Sequence, residues 1–487
     1  MVDLNEQRIN AWNSSILPIF EPGLNDLVKV ARDGTDGRTP NLHFSTDVTR
    51  AVQRADIIFI SVNTPTKTGG IGAGSASDLG YVELAARMIA EISTTDKIIV
   101  EKSTVPCGTA DRLRSIFKAL KPGVTFDILS NPEFLAEGTA VNDLLQPDRV
   151  LIGSHVDERS KAARDSLAAV YSWVPQERII DMNIWSSELA KLAANCMLAQ
   201  RISSINALSA ICEATGADIS EVSNAIGLDS RIGSRMLKAS AGFGGSCFKK
   251  DVLSLVYIAE SLHLREVAQY WRGVNDMNEH QKTRFSQRIT AALHNTLLRK
   301  KVTILGWAYK KNTGDTRESA AISIAGHLLA EGAQLAIYDP QVSSEQILRD
   351  LEIPGKAVQD RVVIHKDACE ACIDTNAIVI LTEWDEFKTD TLYLEDRPED
   401  SPPFNGNGTA ASSDSGIDMA GDSYDSAVLA NESVASPYRP TNRVDWERIA
   451  MVVRRPRLVF DGRNIVEAKK LASLGFIVES VGKAHDL

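Results

Sequence analysis

Residues 55–62 read ADIIFISV, an apolar, β-branched run of strand length. Runs of the same kind recur as DKIIVEKS (96–103), FDILSNPEF (126–134) and RVLIGS (149–154), with helical spacing between them in stretches such as LGYVELAARMIAEI (79–92). That alternation predicts a parallel sheet flanked by helices. Open sheets of this kind place ligands outside the carboxyl ends of their strands. The residues there are Asn63–Thr66 in SVNTPT, Thr104 in EKSTVP, and Glu133 and Glu137 in LSNPEFLAEGTA. Pro65 and Pro106 could be mere strand punctuation, but three such ends in one sheet favour a crevice.

From about Trp185 the pattern turns to successive helices, opening with WSSELAKLAANCMLAQRISSINALSAICEATGAD. That helix is apolar or small on most faces, so it is expected to be buried at a domain or subunit contact. Lys191 and Asn195 share one of its faces, either as a functional pair or with the lysine reaching out to solvent. Strand signals return in KVTILGWAY, QLAIYDP, AIVILTEWD, RLVFDGRN and GFIVESVG. The expected class is α/β: two Rossmann-like parallel-sheet domains, 1–182 and 300–487, joined by a central helical dimerisation region, 183–299. Residues from about 391 to 443 are rich in Ser, Gly, Asp, Asn and Pro, and are expected to form a disordered acidic insertion.

A net charge of -11 disfavours nucleic acid and anionic membranes as partners. The start, MVDLNEQRIN, has no secretory pattern, and the six cysteines are sparse, so a reducing, cytoplasmic setting is expected. Cys369 and Cys372 form a CxxC with no second pair at zinc-like spacing, in a stretch that reads as a helix turned to a core; no metal site is expected. One thiol differs. In GFGGSCFKKD (242–251) three glycines precede Cys247, and two lysines and Asp251 follow it. The stretch is either a glycine-rich turn around an inert cysteine or the setting of an activated nucleophile. Lys310, Lys311, Arg317 and Arg463 follow predicted strands, and Arg231, Arg235 and Lys238 precede the glycines; together these cations suit a diphosphate.

The stretches INAWNSSILPIFEPGL, SVNTPTKT, VEKSTVP, LSNPEFLAEGTA, WSSELAKLAAN, RIGSRMLKASAGFGGSCFKKD, KKNTGDTRES, IYDP and TEWDEF resemble the UDP-glucose 6-dehydrogenase family of nucleotide-sugar dehydrogenases. The resemblance runs from Asp3 to about Gly482, apart from the acidic insertion. It implies oxidation of the C6 alcohol of UDP-glucose to a carboxylate, with two NAD and one water. Cys247 would be the nucleophile, passing through a thiohemiacetal and a thioester. Lys191 and Asn195 match the family's oxyanion-stabilising pair, Glu133 and Thr104 its water-mediated base relay, and Asp251 a group positioning that water. Asp3, Arg8, Val62, Asn63, Thr64, Pro65, Ser103, Thr104, Glu137, Lys250 and Arg317 match cofactor contacts. Glu133, Phe134, Leu135, Glu137, Lys191, Asn195, Arg231, Lys238, Phe243, Gly244, Tyr309, Lys310 and Arg463 match substrate contacts. A homodimer or larger homo-oligomer is implied.

The family's amino-terminal GxGxxG turn is not found; GGIGAGSAS (69–77) follows a loop rather than a strand that opens a helix. The chain is therefore expected to lack the first βα unit and to bind NAD poorly. Two other readings stay open: a dehydrogenase for another nucleotide sugar, and a truncated, non-catalytic subunit.

Overall fold

Each of the short apolar runs forms a strand. A computed structural model describes residues 1–352, 359–389 and 443–483. The acidic segment expected at about 391–443 thus lies, but for its last residue, outside the described residues. The first sheet contains β1 (Ile57–Ile60), β2 (Lys97–Glu101), β3 (Phe126–Ser130), β4 (Val150–Ser154) and β5 (Ile179–Asn183), in that spatial order. β1, β2 and β3 are parallel, with Ile60 opposite Glu101 and Glu101 opposite Ser130. The loops that leave them therefore start side by side. Between β3 and β4 the pairing is antiparallel, through Ser130 and Gly153, a reversal the sequence did not announce; β4 and β5 are parallel again. Near the amino end a single parallel bridge joins Val2 to Ser45, over a small apolar cluster of Ile9, Val28 and Phe44.

The long apolar stretch is one helix, Ile184–Thr215, about 48 Å long at 1.5 Å per residue. Asn183 caps its start by accepting from Trp185 N, and Gly216, at φ 83°, ends it. The helix lies directly on β4. A Cβ on Gly153 would come within 2.5 Å of the Ser187 Cβ, so only glycine allows this approach. Helices Phe248–Ser261 and Arg265–Ala292 pack against it around Cys196, Ala199, Phe243, Val252 and Val274. Along the same helix Leu189, Met197, Leu198, Leu208 and Ile211 remain exposed. No helix among the described residues is long and apolar enough to cross a membrane.

The second sheet is parallel throughout. It contains β6 (Lys301–Leu305), β7 (Gln334–Tyr338), β8 (Val362–Ile364), β9 (Ala377–Ile380), β10 (Arg457–Asp461) and β11 (Phe476–Ser480), ordered β11-β10-β9-β6-β7-β8. Its inner strands are buried on both faces, which is why they read as unbroken apolar runs. Cys369 and Cys372 are free and buried here, at a short helix, Ala368–Ala371. The chain on either side of the acidic segment is joined: Val444 N donates to Glu386 O (2.9 Å), Trp446 Nε1 to Phe387 O (3.2 Å), and Glu467 N to Thr389 Oγ1 (2.7 Å).

Candidate functional site

The ends of β1 and β2 are tied together by short polar links. Lys102 N and Ser103 N both donate to Ile60 O, at 3.0 and 3.1 Å. Ser103 Oγ accepts from Val62 N (2.8 Å) and donates to Val62 O (2.7 Å), while Thr64 Oγ1 donates to Thr104 O (2.8 Å). Val62, Thr64, Ser103 and Thr104 therefore form one patch, with Asn63 and Pro65 exposed at its rim.

Beyond β3, Glu133 accepts from Leu135 N (2.6 Å) and from Lys191 Nζ (3.2 Å); Lys191 also donates to the Glu133 carbonyl. Lys191 is only 4% exposed, and a buried ammonium needs such partners. The Phe134 ring lies between two cations, Lys191 Nζ at 5.2 Å and the Arg149 guanidinium at 4.0 Å. One turn further along the long helix, Asn195 Nδ2 donates to Asp251 Oδ2 (2.6 Å). The other Asp251 oxygen is buried without a hydrogen bond; Lys250 Nζ stands 3.3 Å away but off line. Lys250 Nζ also reaches Thr64 Oγ1 (3.4 Å), joining this helix to the β1 patch.

Cys247 occupies the N-cap of helix Phe248–Ser261 and is exposed, with Ser246 Oγ 3.6 Å from its sulfur. Free N–H groups in a helix's first turn favour negative charge at this position. Asp251 N donates to Cys247 O (2.9 Å), so the two side chains share a helical face. The glycines before Cys247 serve the protein's own packing. A Cβ on Gly244 would lie 2.6 Å from Glu318 O, and one on Gly245, at φ 88°, 2.9 Å from the Tyr309 ring. The close approach these glycines allow is made with the loop after β6, where Gly245 N donates to Arg317 O (2.8 Å). Three buried amides fix the segment. Asn206 accepts from Ser240 N (2.9 Å), Gln281 donates to Ser240 O (2.8 Å), and Asn278 both accepts from Phe243 N (2.8 Å) and donates to Phe243 O (3.1 Å). The Phe243 ring itself belongs to the helical core.

The second sheet brings Tyr309, Lys310, Arg317 and Arg463 to the same region. Glu137 accepts from Thr313 Oγ1 (3.0 Å) and Arg317 Nη2 (3.4 Å), linking the two sheets' loops. Burial, and then Asp315, push the Glu137 carboxyl up; burial also pushes up the Tyr309 phenol. Burial draws the Lys310 ammonium down against the pull of Glu137 and Glu383. Arg463 donates to the carbonyls of Leu381 (2.8 Å) and Tyr309, shaping the loop. Leu135 and Lys238 are exposed near these elements. Arg231 is paired to Asp229 on the surface and is not drawn in by any side chain of the group.

Asp3 accepts from Asn5 N (2.8 Å) and Arg8 Nη1 (2.9 Å), beside the Val2–Ser45 bridge. GGIGAGSAS forms a loop packed on the cysteine helix: Gly72 lies against the Tyr257 ring, and Ser77 Oγ stands 3.3 Å from Ser254 Oγ. For a dinucleotide, the residues present fit: a carboxylate held by Arg8, hydroxyls at the ends of β1 and β2, and a lysine on the cysteine helix that reaches them.

Sequence reasoning missed Glu101 and Glu188. Glu188 lies on the face of the long helix that carries Lys191, and accepts from Gly108 N (2.7 Å) and Ala110 N (2.8 Å), at the start of helix Thr109–Leu120. Glu101 ends β2 at 2% exposure, and among the described residues neither of its oxygens has a hydrogen-bond donor. Burial, and then the charge of Glu188, push its carboxyl well above the ordinary range. Both were hidden because only folding brings residue 188 to residue 101.

Three models of the UDP-glucose/GDP-mannose dehydrogenase family match the chain: the NAD binding domain over residues 1–174, the central domain over 185–280 and the UDP binding domain over 303–402. The chain is 50% identical over 492 residues to UDP-glucose 6-dehydrogenase of Drosophila melanogaster, covering 100% of this chain and 91% of that protein. It is 49% identical over 500 residues to UDP-glucose 6-dehydrogenase 3 of Arabidopsis thaliana, covering 100% and 92%. Among solved structures, a UDP-glucose dehydrogenase from the archaeon Pyrobaculum islandicum superposes with a TM-score of 0.75 at 29% identity, over 99% of this chain and 91% of that one.

Proposed function

For a chain that belongs to the UDP-glucose/GDP-mannose dehydrogenase family, we propose NAD-dependent oxidation of UDP-glucose at C6, through both oxidation levels, to UDP-glucuronate. The observation that carries the reading is a pairing of two helix faces. Lys191 and Asn195 lie on one, Cys247 and Asp251 on the other, and the Asn195–Asp251 bond locks them together.

NAD, when bound, would take a hydride from C6 in each oxidation; Asp3, Arg8, Val62 to Pro65, Ser103, Thr104, Glu137, Lys250 and Arg317 would hold it. The first oxidation also passes the C6 hydroxyl proton to water near Glu133 and Thr104, and leaves an aldehyde. Cys247 Sγ adds to the aldehyde carbon, and the proton of the thiol ends on the former carbonyl oxygen, giving a thiohemiacetal. Loss of the carbon's hydrogen and the hydroxyl proton then leaves a thioester on Cys247. Water held near Glu133, Thr104 and the open Asp251 oxygen attacks that carbonyl, giving the carboxylate and freeing the thiol. Of the three N–H donors on Lys191 two are used by Glu133, and one of the two on Asn195 by Asp251. Each thus retains a donor for the oxygen that becomes negative.

Tyr309, Lys310, Arg463, Lys238 and the segment through Phe243 and Gly244 would bind the nucleotide sugar, with Glu133, Phe134, Leu135 and Glu137 beside C6. Arg231 would reach it only from the surface. A cytoplasmic homodimer, joined through the exposed apolar face of the long helix, completes the reading, with domain limits at 1–182, 183–299 and 300–487.

The test is product stoichiometry. With UDP-glucose and a large excess of NAD, which the chain is expected to bind poorly, the native protein should form two NADH per sugar and a carboxylate, if slowly, whereas Cys247→Ser should make no carboxylate. Native-like carboxylate formation by the serine variant would overturn the mechanism. Faster turnover of GDP-mannose or a UDP-N-acetyl sugar would overturn the substrate.

A further inference from the structure

Directly after β2, and one residue from the Ser103–Thr104 patch, Lys102 turns its ammonium inward. Nζ lies 3.0 Å from Asn131 Oδ1 and 3.0 Å from Tyr171 Oη, and 5.7 Å from the centroid of the Tyr171 ring. Tyr171 in turn donates to Asn131 Oδ1 (2.5 Å). Asn131 is fully buried and opens the loop that carries Glu133. Its N donates to Glu101 O (2.9 Å) and its Nδ2 to Leu151 O (2.8 Å), so this one residue joins β2, β3 and β4. Among the described residues Lys102 makes no hydrogen bond to a carboxylate. A half-buried ammonium resting only on neutral oxygens still loses part of its hydration. What offsets that cost is charge. The charged groups that act on it are Glu133, on the β3 loop, which favours the ammonium, and Lys191, on the long helix, which opposes it. The remaining titratable neighbour is the Tyr171 phenol, pushed up by burial and so neutral.

We propose that Lys102 is a positioning residue for the reaction: bonded to Asn131, its ammonium holds the loop that carries Glu133 against the ends of β2 and β4. The proposal rests on the role given to Glu133 above. Lys191 spends two of its three N–H groups on Glu133 and keeps the third for the reacting oxygen only while the Glu133 loop stays in place. When Lys102 loses its proton, its hold on Asn131 weakens and the loop is released. Burial lowers Lys102 to about 8, with Glu133 raising it and Lys191 lowering it. The ammonium is therefore present below about pH 8 and lost as pH rises through that value.

Two measurements on the full chain test this. The Lys102 ammonium is titrated by NMR with 15N-lysine, its signal assigned by its absence in Lys102→Arg. Its midpoint is expected to fall by about one unit in Glu133→Gln and to rise in Lys191→Met, as the removal of a neighbouring charge requires. Unchanged midpoints in both variants overturn the proposal, whether or not the chain turns over. Kinetically, kcat of the native protein should decline above about pH 8, while Lys102→Arg, which keeps its charge, should hold its plateau at least one unit further with KM within twofold. A merely structural lysine would leave the two alkaline limbs coincident, and that result also overturns the role. If Glu133→Gln retains full turnover, the functional reading itself fails; if it is inactive and the limbs coincide, only the assignment of Lys102 fails.

Discussion

Glu101→Gln should stabilise the protein at neutral pH. The native side chain is 2% exposed, has no donor to either oxygen among the described residues, and faces Glu188, whose carboxylate is already committed to Gly108 N and Ala110 N. Glu188 is the better placed to carry charge, so Glu101 keeps its proton. Its folded-state affinity for that proton is raised, first by burial and then by Glu188, well above the unfolded value of 4.5. For an acid shifted upward, the unfolded chain releases the proton first as pH rises. Native stability therefore falls through the window that opens at the unfolded value, by about 1.4 kcal/mol per pH unit at full slope. The loss continues for as long as pH stays below the raised folded-state value. Glutamine is isosteric, cannot ionise, and can donate to Glu188. The difference in urea-unfolding free energy between variant and native should thus grow with pH in favour of the variant. Parallel pH dependences for the two proteins would refute the argument, since they would mean that Glu101 is ionised in the folded state.

Two further outcomes follow from the geometry. Replacing residues 390–442 by a short glycine–serine linker should leave the melting temperature within a few degrees, because Glu386, Phe387 and Thr389 are already bonded to Val444, Trp446 and Glu467; loss of the folded state on calorimetry would contradict this. Leu208→Asp with Ile211→Asp, both at exposed apolar positions of the long helix, should halve the mass seen by light scattering at micromolar concentration, and an unchanged mass would exclude that face as the dimer contact.

Much of this was legible in sequence because local pattern and final burial agree. ADIIFISV, DKIIVEKS and FDILS became strands whose ends carry Thr64, Thr104 and Glu133, and the face shared by Lys191 and Asn195 follows from helical spacing alone. The antiparallel turn into β4 was not legible, since a crossover and a reversal leave the same signature in residues 131–149. Nor were Glu101, Glu188 and Lys102. A carboxylate and a lysine closing an apolar run look like ordinary surface punctuation, and their burial is decided by Tyr171 and the long helix, far along the chain. Asn206, Asn278 and Gln281 were hidden for a similar reason: an amide in a helix gives no sign of which backbone it will clamp.

The single rod from Ile184 to Thr215 also limits how this centre can be altered. Glu188 and Asn195 are about 10 Å apart along it, and between them the rod meets a helix start, a strand-end loop and a neighbouring helix. Rolling it by a few degrees moves those three footholds together, as a key turns several wards at once. Selection acting on any one of them must therefore contend with the other two.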